Sequence, residues 1–185
     1  IDDVVAGVVS LARDEWPSGD ADDLRDRRGL TLTGEAGAGA VGLAATLADR
    51  LGLAVYDRRL LEYESERLGV KVADVESVDE RPAGIFGRLI PGDLSHRCFE
   101  ALKRIMGELA DRGDVLIVGR GGSRFLEGDP RAFHVRLVAD PAIRLRRVME
   151  QYWLADDAAQ ALIDRTDARR RKFYHSSFGV AWADP

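Results

Sequence analysis

The segment best suited to chemistry is a run of small residues at positions 34–41, Gly-Glu-Ala-Gly-Ala-Gly-Ala-Val, which follows a short apolar stretch. A glycine-rich turn between a strand and a helix can wrap an anion, because its backbone N–H groups and the helix dipole favour negative charge. The predicted phosphate-binding residues are Gly34, Gly37, Ala38, Gly39, Ala40 and Val41. The alternative is a glycine-rich turn that binds nothing.

Two side chains of the usual phosphate loop are missing from this segment. In the pattern G-x-x-x-x-G-K-[ST], Ala40 stands where lysine is expected and Val41 stands where serine or threonine is expected. The lysine neutralises charge on the β- and γ-phosphates, and the hydroxyl holds Mg²⁺. Loss of one such group costs about 3 kcal/mol of transition-state stabilisation. The sequence therefore predicts a backbone cradle without its usual cation and metal ligand.

A second candidate for phosphate chemistry is the basic segment 165–172. Its guanidinium groups can bind phosphate oxygens bidentately. We interpret Arg165, Arg169 and Arg170 as catalytic arginines on a mobile lid over the transferring phosphates. One alternative is a solvated basic helix face. A nucleic-acid contact is less favoured, because the net charge is −5 and few aromatic residues interleave with the arginines.

Two further polar pairs, Asp57-Arg58 and Gly119-Arg120, come directly after apolar stretches. In a kinase, Asp57 could accept a hydrogen bond from ribose or base, and the arginines could hold the phosphate of the acceptor. The alternatives are a helix cap for Asp57 and a structural ion pair for Arg120.

The hydrophobic patterns predict an α/β fold, a parallel sheet with helices on both faces. The predicted strands cover 29–33, 53–56, 115–118 and 133–139. The predicted helices cover 1–15, 40–51, 58–68, 72–78, 95–112, 141–150 and 156–165, and 80–94 reads as a loop. Ser95 is expected to cap one helix, Gly52 to end another and Pro141 to begin a third. Ligands of such sheets bind beyond the carboxyl ends of the strands, where the three motifs fall.

We divide the chain into residues 1–28, an N-terminal helix and linker extension, and residues 29–185, the main domain. The helix either docks on the surface of its own domain or contacts a neighbouring domain or a protein partner. The chain begins with Ile1, which suggests that residues precede it.

The composition argues for a cytoplasmic protein that does not bind membranes. Cys98 is the single cysteine, which rules out an intrachain disulfide, and no apolar run approaches the roughly 18 residues that span a bilayer. The three histidines, His96, His134 and His175, lack metal-ligand spacing, so we predict no protein metal site. Ser123 lacks the G-x-S-x-G elbow of hydrolases.

Several stretches together resemble the cytidylate kinase-like proteins, relatives of the cytidylate kinases within the P-loop nucleoside monophosphate kinase superfamily. They occur in the order found in that family, across about residues 30–185. The matching stretches are residues 32–39, 56–62 and 115–121, the helix start at 139–141 with Arg144 and Arg147, Thr166-Asp167 with Arg170, and Trp182-Ala183-Asp184-Pro185.

The resemblance implies a five-stranded parallel core, an acceptor-nucleotide region and a lid. It implies ATP as donor, Mg²⁺, and CMP or a similar acceptor. By carry-over, the acceptor or lid residues are Asp57, Arg58, Arg120, Asp167 and Arg170. Members of the family continue past the Trp-x-Asp-Pro stretch into a last core strand, and we expect this strand to be absent from residues 29–185.

Two functions follow as hypotheses. The first is phosphoryl transfer from ATP to a pyrimidine nucleoside monophosphate such as CMP, supported by the ordered set of motifs. The second is a catalytically degenerate domain that acts as a nucleotide sensor or as a protein-interaction or structural module, supported by Ala40 and Val41.

Overall fold

The computed structural model of the chain describes residues 2–15, 29–57, 59–80 and 92–182. Within these residues, four strands form one sheet. The strands are β1 (Gly29–Gly34), β2 (Ala54–Tyr56), β3 (Val115–Val118) and β4 (Ala132–Leu137). They are hydrogen-bonded in the order β2-β3-β1-β4, and every pair is parallel. The predicted parallel sheet is confirmed, and each strand end lies within two residues of its predicted position.

Helices cover both faces of this sheet, as predicted. They are α1 (Asp2–Glu15), α2 (Ala40–Leu51), α3 (Arg59–Leu68), α4 (Val72–Glu80), α5 (Gly92–Arg112), α6 (Gly122–Phe125), α7 (Pro141–Tyr152) and α8 (Asp156–Phe178). On one face, Leu30 and Leu116 pack against Leu47 of α2. On the other face, Ile117 packs against Met106 of α5. Adjacent residues of β3 therefore contribute to opposite sides of the core, as the alternation of a strand requires.

Two helix boundaries match the sequence prediction in detail. Gly52 ends α2 in the left-handed conformation, with φ of 69° and its N–H bonded to the carbonyl of Ala48. Pro141 begins α7, and the carboxylate of Asp140 caps it by accepting from the N–H of Ala142 at 2.8 Å. Proline suits this position because the first-turn N–H groups have no partner within the helix.

The start of α5 differs from the prediction. The helix begins at Gly92, so Ser95 lies within its first turn and is not the cap. Leu94 and Cys98, four residues apart, both pack in the cluster that contains Leu61 and Val75. Residues four apart lie on the same face of a helix, so Leu94 packs with Cys98 only if the helix begins before the predicted boundary.

The larger difference concerns α8. The sequence predicted a short helix at 156–165 followed by a separate basic lid, whereas one helix runs from Asp156 to Phe178. Its buried face carries Ile163, Asp167 and Tyr174. Because Asp167, in the middle of that face, is charged, the apolar pattern in the sequence ends before the helix does. The basic segment is thus part of a long packed helix.

The N-terminal helix α1 packs on the same face as α2. Val5 is fully buried among Leu30, Leu43 and Leu47. The predicted linker, residues 16–28, lies outside the described residues. The resemblance implies five strands, and the described part of the chain supplies four of them.

Candidate active site

The glycine loop connects β1 to α2 and requires its glycines. Gly37 and Gly39 have φ of 79° and 100°, a conformation that side chains disfavour. A Cβ at Gly37 would lie 2.6 Å from the carbonyl oxygen of Arg144, and a Cβ at Gly34 would lie 3.1 Å from that of Leu137. The loop is therefore held close to β4 and α7.

Three arginines hold alternate carbonyl groups of this loop. Arg170 Nη1 donates to the carbonyl oxygen of Gly34 at 2.6 Å. Arg144 Nε donates to that of Ala36 at 2.8 Å, and Arg147 Nη1 donates to that of Ala38 at 2.7 Å. Two of these arginines come from α7 and one comes from α8. Both helices therefore place positive charge beside the loop.

Asp167 connects the same three segments. Its Oδ1 accepts a hydrogen bond of 2.9 Å from the N–H of Ala36, and its Oδ2 pairs with the guanidinium of Arg144. Arg144 also pairs with Glu35 at 3.4 Å. The Asp167 side chain is nearly fully buried, and a buried carboxylate is stable only when it is paired in this way. The resemblance assigns Asp167 to the acceptor; its contacts in the structure are with the loop and with α7.

Positions 40 and 41 open α2. Ala40 is half-buried and Val41 is 72% exposed. The N–H groups of Gly37, Gly39 and Ala40 make no hydrogen bond to any residue that the structure describes. Free N–H groups at a helix start can receive an anion.

A cavity of about 470 Å³ opens beside the loop, at the carboxyl ends of β1 and β3. Its polar and charged lining consists of Thr33, Glu76, Arg120, Thr166, Arg169 and Arg170. Its other lining residues include Phe173, Tyr174 and Trp182. The volume falls within the usual range for small-molecule sites. Positive charge and aromatic rings together suit a ligand with a phosphate and a planar base.

Arg170 belongs to both the loop and the cavity. It contacts the carbonyl of Gly34, pairs with Asp167 at 3.5 Å and has its guanidinium carbon 5.8 Å from the ring centroid of Trp182. Burial lowers the pKa of Arg170 from its ordinary value, and the neighbouring Asp167 opposes this shift. Arginine still keeps its charge at neutral pH, because its ordinary pKa lies so far above neutrality.

Arg120 follows β3 and projects toward α3. It pairs with Glu64, of which 1% of the side chain is exposed, and it also lines the cavity. The ion pair that the sequence allowed as an alternative is therefore present, and the same guanidinium borders the cavity. The ion pair with Glu64 holds the guanidinium of Arg120 at the wall of the cavity.

Trp182 closes one side of the cavity. The guanidinium of Arg136 lies 4.6 Å from its ring centroid and also donates to its backbone carbonyl. The indole Nε1 is buried without a hydrogen-bond partner among the described residues. Cation–π contacts with Arg136 and Arg170 help to hold the ring in position.

Asp57 and Arg165, two of the predicted site residues that the structure describes, do not line this cavity. Asp57 is exposed, and its Oδ1 accepts from the N–H of Arg59 at 3.4 Å, at the start of α3. Arg58 lies outside the described residues. Arg165 is exposed and does not line the cavity. Their proposed contacts with substrate remain predictions.

The histidines do not form a metal site in the described part of the chain. His96 and His175 are exposed, and His134 Nδ1 lies 2.7 Å from the hydroxyl of Thr31. No three histidine, cysteine, aspartate or glutamate side chains among the described residues are grouped to hold a metal ion. None of the described helices is both long and apolar enough to cross a bilayer.

The sequence prediction missed several residues of the site. Glu64 could have been found, because it lies four residues after the buried Leu60 on the apolar face of α3. Thr33 and Trp182 lie in stretches that resemble the family but were not predicted as site residues, and Tyr174 gave no local signal. They reach the cavity only through the packing of α8 and the segment after it against the end of β1.

Comparison with known proteins agrees with this architecture. A crystal structure of an uncharacterized protein from Eubacterium ventriosum ATCC 27560 is 17% identical, with a TM-score of 0.64 over 85% of this chain and 82% of the other. This likeness supports the fold alone.

Two shikimate kinases are less similar to this chain in structure, as their lower TM-scores indicate. The protein from Bacteroides thetaiotaomicron is 22% identical with a TM-score of 0.48, over 82% of this chain and 83% of that one. The protein from Acinetobacter baumannii, in complex with shikimate, is 19% identical with a TM-score of 0.44, over 82% and 80%. Both are too distant to inform the site.

The family assignment rests on the sequence match. No curated protein matches the chain. The model of the cytidylate kinase-like family matches residues 30–185, which include the glycine loop, Arg120 and the whole of α7 and α8. The chain belongs to the cytidylate kinase-like family.

Proposed function

We propose that this protein transfers a phosphoryl group from ATP to a nucleoside monophosphate, with CMP as the first acceptor to test. The observation that carries the proposal is the position of Arg170. Its guanidinium contacts the glycine loop at Gly34 and also lines the neighbouring cavity. A cation between two phosphate-binding regions suits the charge that develops during phosphoryl transfer.

The acceptor binds in the cavity. Arg169 and Arg120 offer guanidinium groups to its phosphate, and Tyr174 and Trp182 offer apolar surface to its base. Arginine is suited to this role because its planar fork matches the oxygens of a phosphate. Glu64 holds Arg120 in position and thereby limits its rotation.

The donor binds at the loop, with its β- and γ-phosphates beside the N–H groups of Gly37, Gly39 and Ala40. In the reaction, an oxygen of the acceptor phosphate forms a bond to the γ-phosphorus. The bond between that phosphorus and the bridging oxygen of the β-phosphate breaks, and ADP leaves. The chain contributes positioning and positive charge, and Arg170 lies at the junction of the two sites.

The residues present do not fit a resident Mg²⁺ ion. Val41 carries no hydroxyl to serve as a ligand, and the described residues include no group of acidic side chains, histidine or cysteine suited to hold a metal. Any Mg²⁺ therefore enters with ATP as part of the substrate.

Calorimetric titration with CMP and with ATP, each with and without Mg²⁺, tests the proposal together with an assay of ADP formation. We expect both nucleotides to bind and ADP to accumulate only when both are present. A chain that binds neither nucleotide would exclude the proposal. The same titration with AMP, GMP and UMP identifies the acceptor base.

A nucleotide sensor is the second candidate, and one contact favours it. The carboxylate of Asp167 accepts the hydrogen bond from the N–H of Ala36, and that N–H is therefore not available to donate to a phosphate oxygen. Together with the side chains of Ala40 and Val41, this contact weakens the donor site. Binding of CMP without ADP formation would support the sensor. Failure to bind any nucleotide would favour a structural or partner-binding role, for which Val4 and Leu11 of α1 offer exposed apolar surface.

A further inference from the structure

Arg147 contacts the glycine loop and does not line the acceptor cavity. Arg147 on α7 is half-buried, and its Nη1 donates to the carbonyl of Ala38 at 2.7 Å. The same nitrogen would lie 3.2 Å from a Cβ built on Gly39. The guanidinium therefore rests against the last residues of the loop, where α2 begins.

The three arginines that contact the loop differ in their charge partners. Arg144 pairs with Asp167 and with Glu35, and Arg170 pairs with Asp167. Arg147 has no carboxylate within ion-pair distance among the residues that the structure describes. Its positive charge is therefore the one at the loop that the described side chains leave unbalanced.

The location of Arg147 makes its unpaired positive charge electrostatically unfavourable. The start of α2 is the positive end of a helix dipole, and the first turn of α2 contains no acidic residue. A cation at such an end is repelled, and the unbonded N–H groups of Gly39 and Ala40 add further positive potential. An anion bound at this point would offset both the charge of Arg147 and the positive potential of the unbonded N–H groups. The arrangement therefore indicates an anionic ligand.

We propose that Arg147 supplies from α7 the cation that Ala40 does not, and that it binds the β- and γ-phosphates of a nucleoside triphosphate. This inference rests on the proposed function, because it concerns the donor half of the same site. A guanidinium has five N–H donors, and the carbonyl of Ala38 uses one of them. The others remain for phosphate oxygens. Gly39 permits this approach, because a side chain there would displace Nη1.

The experiment uses inorganic triphosphate as the probe, because it carries the phosphates without a base. Titrations of the full chain compare wild type with Arg147→Ala and Arg147→Gln. Glutamine retains a donor for the carbonyl of Ala38 and removes the charge, so it tests the charge even if the alanine variant is unstable. Melting curves establish that each variant is folded. Arg146→Ala is the matched control, because Arg146 lies next in sequence, is 70% exposed and pairs with Glu150 across 4.0 Å.

We expect both Arg147 variants to bind triphosphate at least tenfold more weakly than wild type and Arg146→Ala to bind within twofold of it. Adding Ala40→Lys to Arg147→Gln should restore most of the lost affinity, because the lysine then provides the cation from within the loop. Three results would overturn the inference: no triphosphate binding by wild type, unchanged binding by the folded Arg147→Gln variant, or an equal loss in Arg146→Ala.

Failure of the inference is distinguishable from failure of the proposed function. ADP formation by wild type that persists in Arg147→Gln contradicts the role of Arg147 and leaves phosphoryl transfer standing. Triphosphate binding that depends on Arg147, without CMP binding or ADP formation, supports the role of Arg147 and contradicts phosphoryl transfer to CMP.

Discussion

Arg170 Nη1 donates a 2.6 Å hydrogen bond to the carbonyl oxygen of Gly34, the last residue of β1. This contact links α8 to the glycine loop. The same side chain lines the cavity that contains Arg120 and Arg169. The glycine loop and the cavity, which are the two halves of the proposed phosphoryl-transfer site, thus share one guanidinium, and the consequences can be tested by substitution.

Replacing Arg170 with alanine should weaken CMP binding by roughly 10- to 100-fold, because a hydrogen bond to a charged group contributes about 1.5–3 kcal/mol. Calorimetric titration measures the effect. Arg171→Ala is the control, since Arg171 is the next residue on α8 and is exposed. Equal affinity of the Arg170→Ala variant and wild type would show that the acceptor phosphate does not contact Arg170.

Asp167→Asn should destabilise the protein by about 3 kcal/mol, because it leaves the buried guanidinium of Arg144 without its main partner. For a chain of this size, that loss lowers the melting temperature by about 6–12 °C. Asp164→Asn, on the exposed face of the same helix, should have little effect. An unchanged melting temperature in Asp167→Asn would mean that the loop is not held by this pair.

The sequence predicted the layers of the fold well, because apolar periodicity is a local property. The stretch at 115–118 is apolar throughout and forms β3, and Gly52 and Pro141 mark helix ends that depend only on nearby residues. The glycine loop was found for the same reason, since its spacing is fixed by the turn between β1 and α2.

The sequence did not predict the contacts that assemble the site, because these depend on charged residues in buried positions. Asp167 and Glu64 lie on buried helix faces, although their residue types alone predict exposed positions. Two partners of Asp167, Ala36 and Arg144, lie 131 and 23 residues away along the chain. Separations of this kind become visible only after α7 and α8 pack against the loop.

The double substitution Ala40→Lys with Val41→Thr should raise the rate of ADP formation by at least about 100-fold if the loop is the limiting part of the site. One preorganised group of this kind contributes about 3 kcal/mol to transition-state stabilisation. Val41 is 72% exposed, so the change should not disturb the core. Ala45→Lys is the control, because it adds the same charge to an exposed position of α2. An unchanged rate would indicate that a defect outside the loop limits transfer.

Stability should fall at acidic pH through Asp129, which lies just before β4. Hydrogen bonds from Arg131 lower the pKa of Asp129 in the folded protein, with the N–H and Nε of Arg131 both 2.9 Å from Oδ1. Because the folded pKa is depressed, this contribution is complete above the unfolded value of about 3.9 and is lost as the pH falls through the folded value.

The measurement is denaturant unfolding of wild type and Asp129→Asn at neutral pH and below pH 3. The variant should be less stable than wild type at neutral pH, and the difference should shrink in acid. Asp111→Asn provides the control, because Asp111 is 73% exposed and lies 3.4 Å from the same arginine. A difference that is constant across this range of pH would exclude the titration of Asp129 as its cause.

Transfer of label from ATP carrying a radioactive γ-phosphate to CMP tests the central claim most directly. The account predicts labelled CDP in a reaction that depends on both substrates, with a large loss in Arg170→Ala and a small change in Arg171→Ala. Saturating binding of CMP with no labelled CDP would contradict phosphoryl transfer and leave the nucleotide sensor as the better description of the protein.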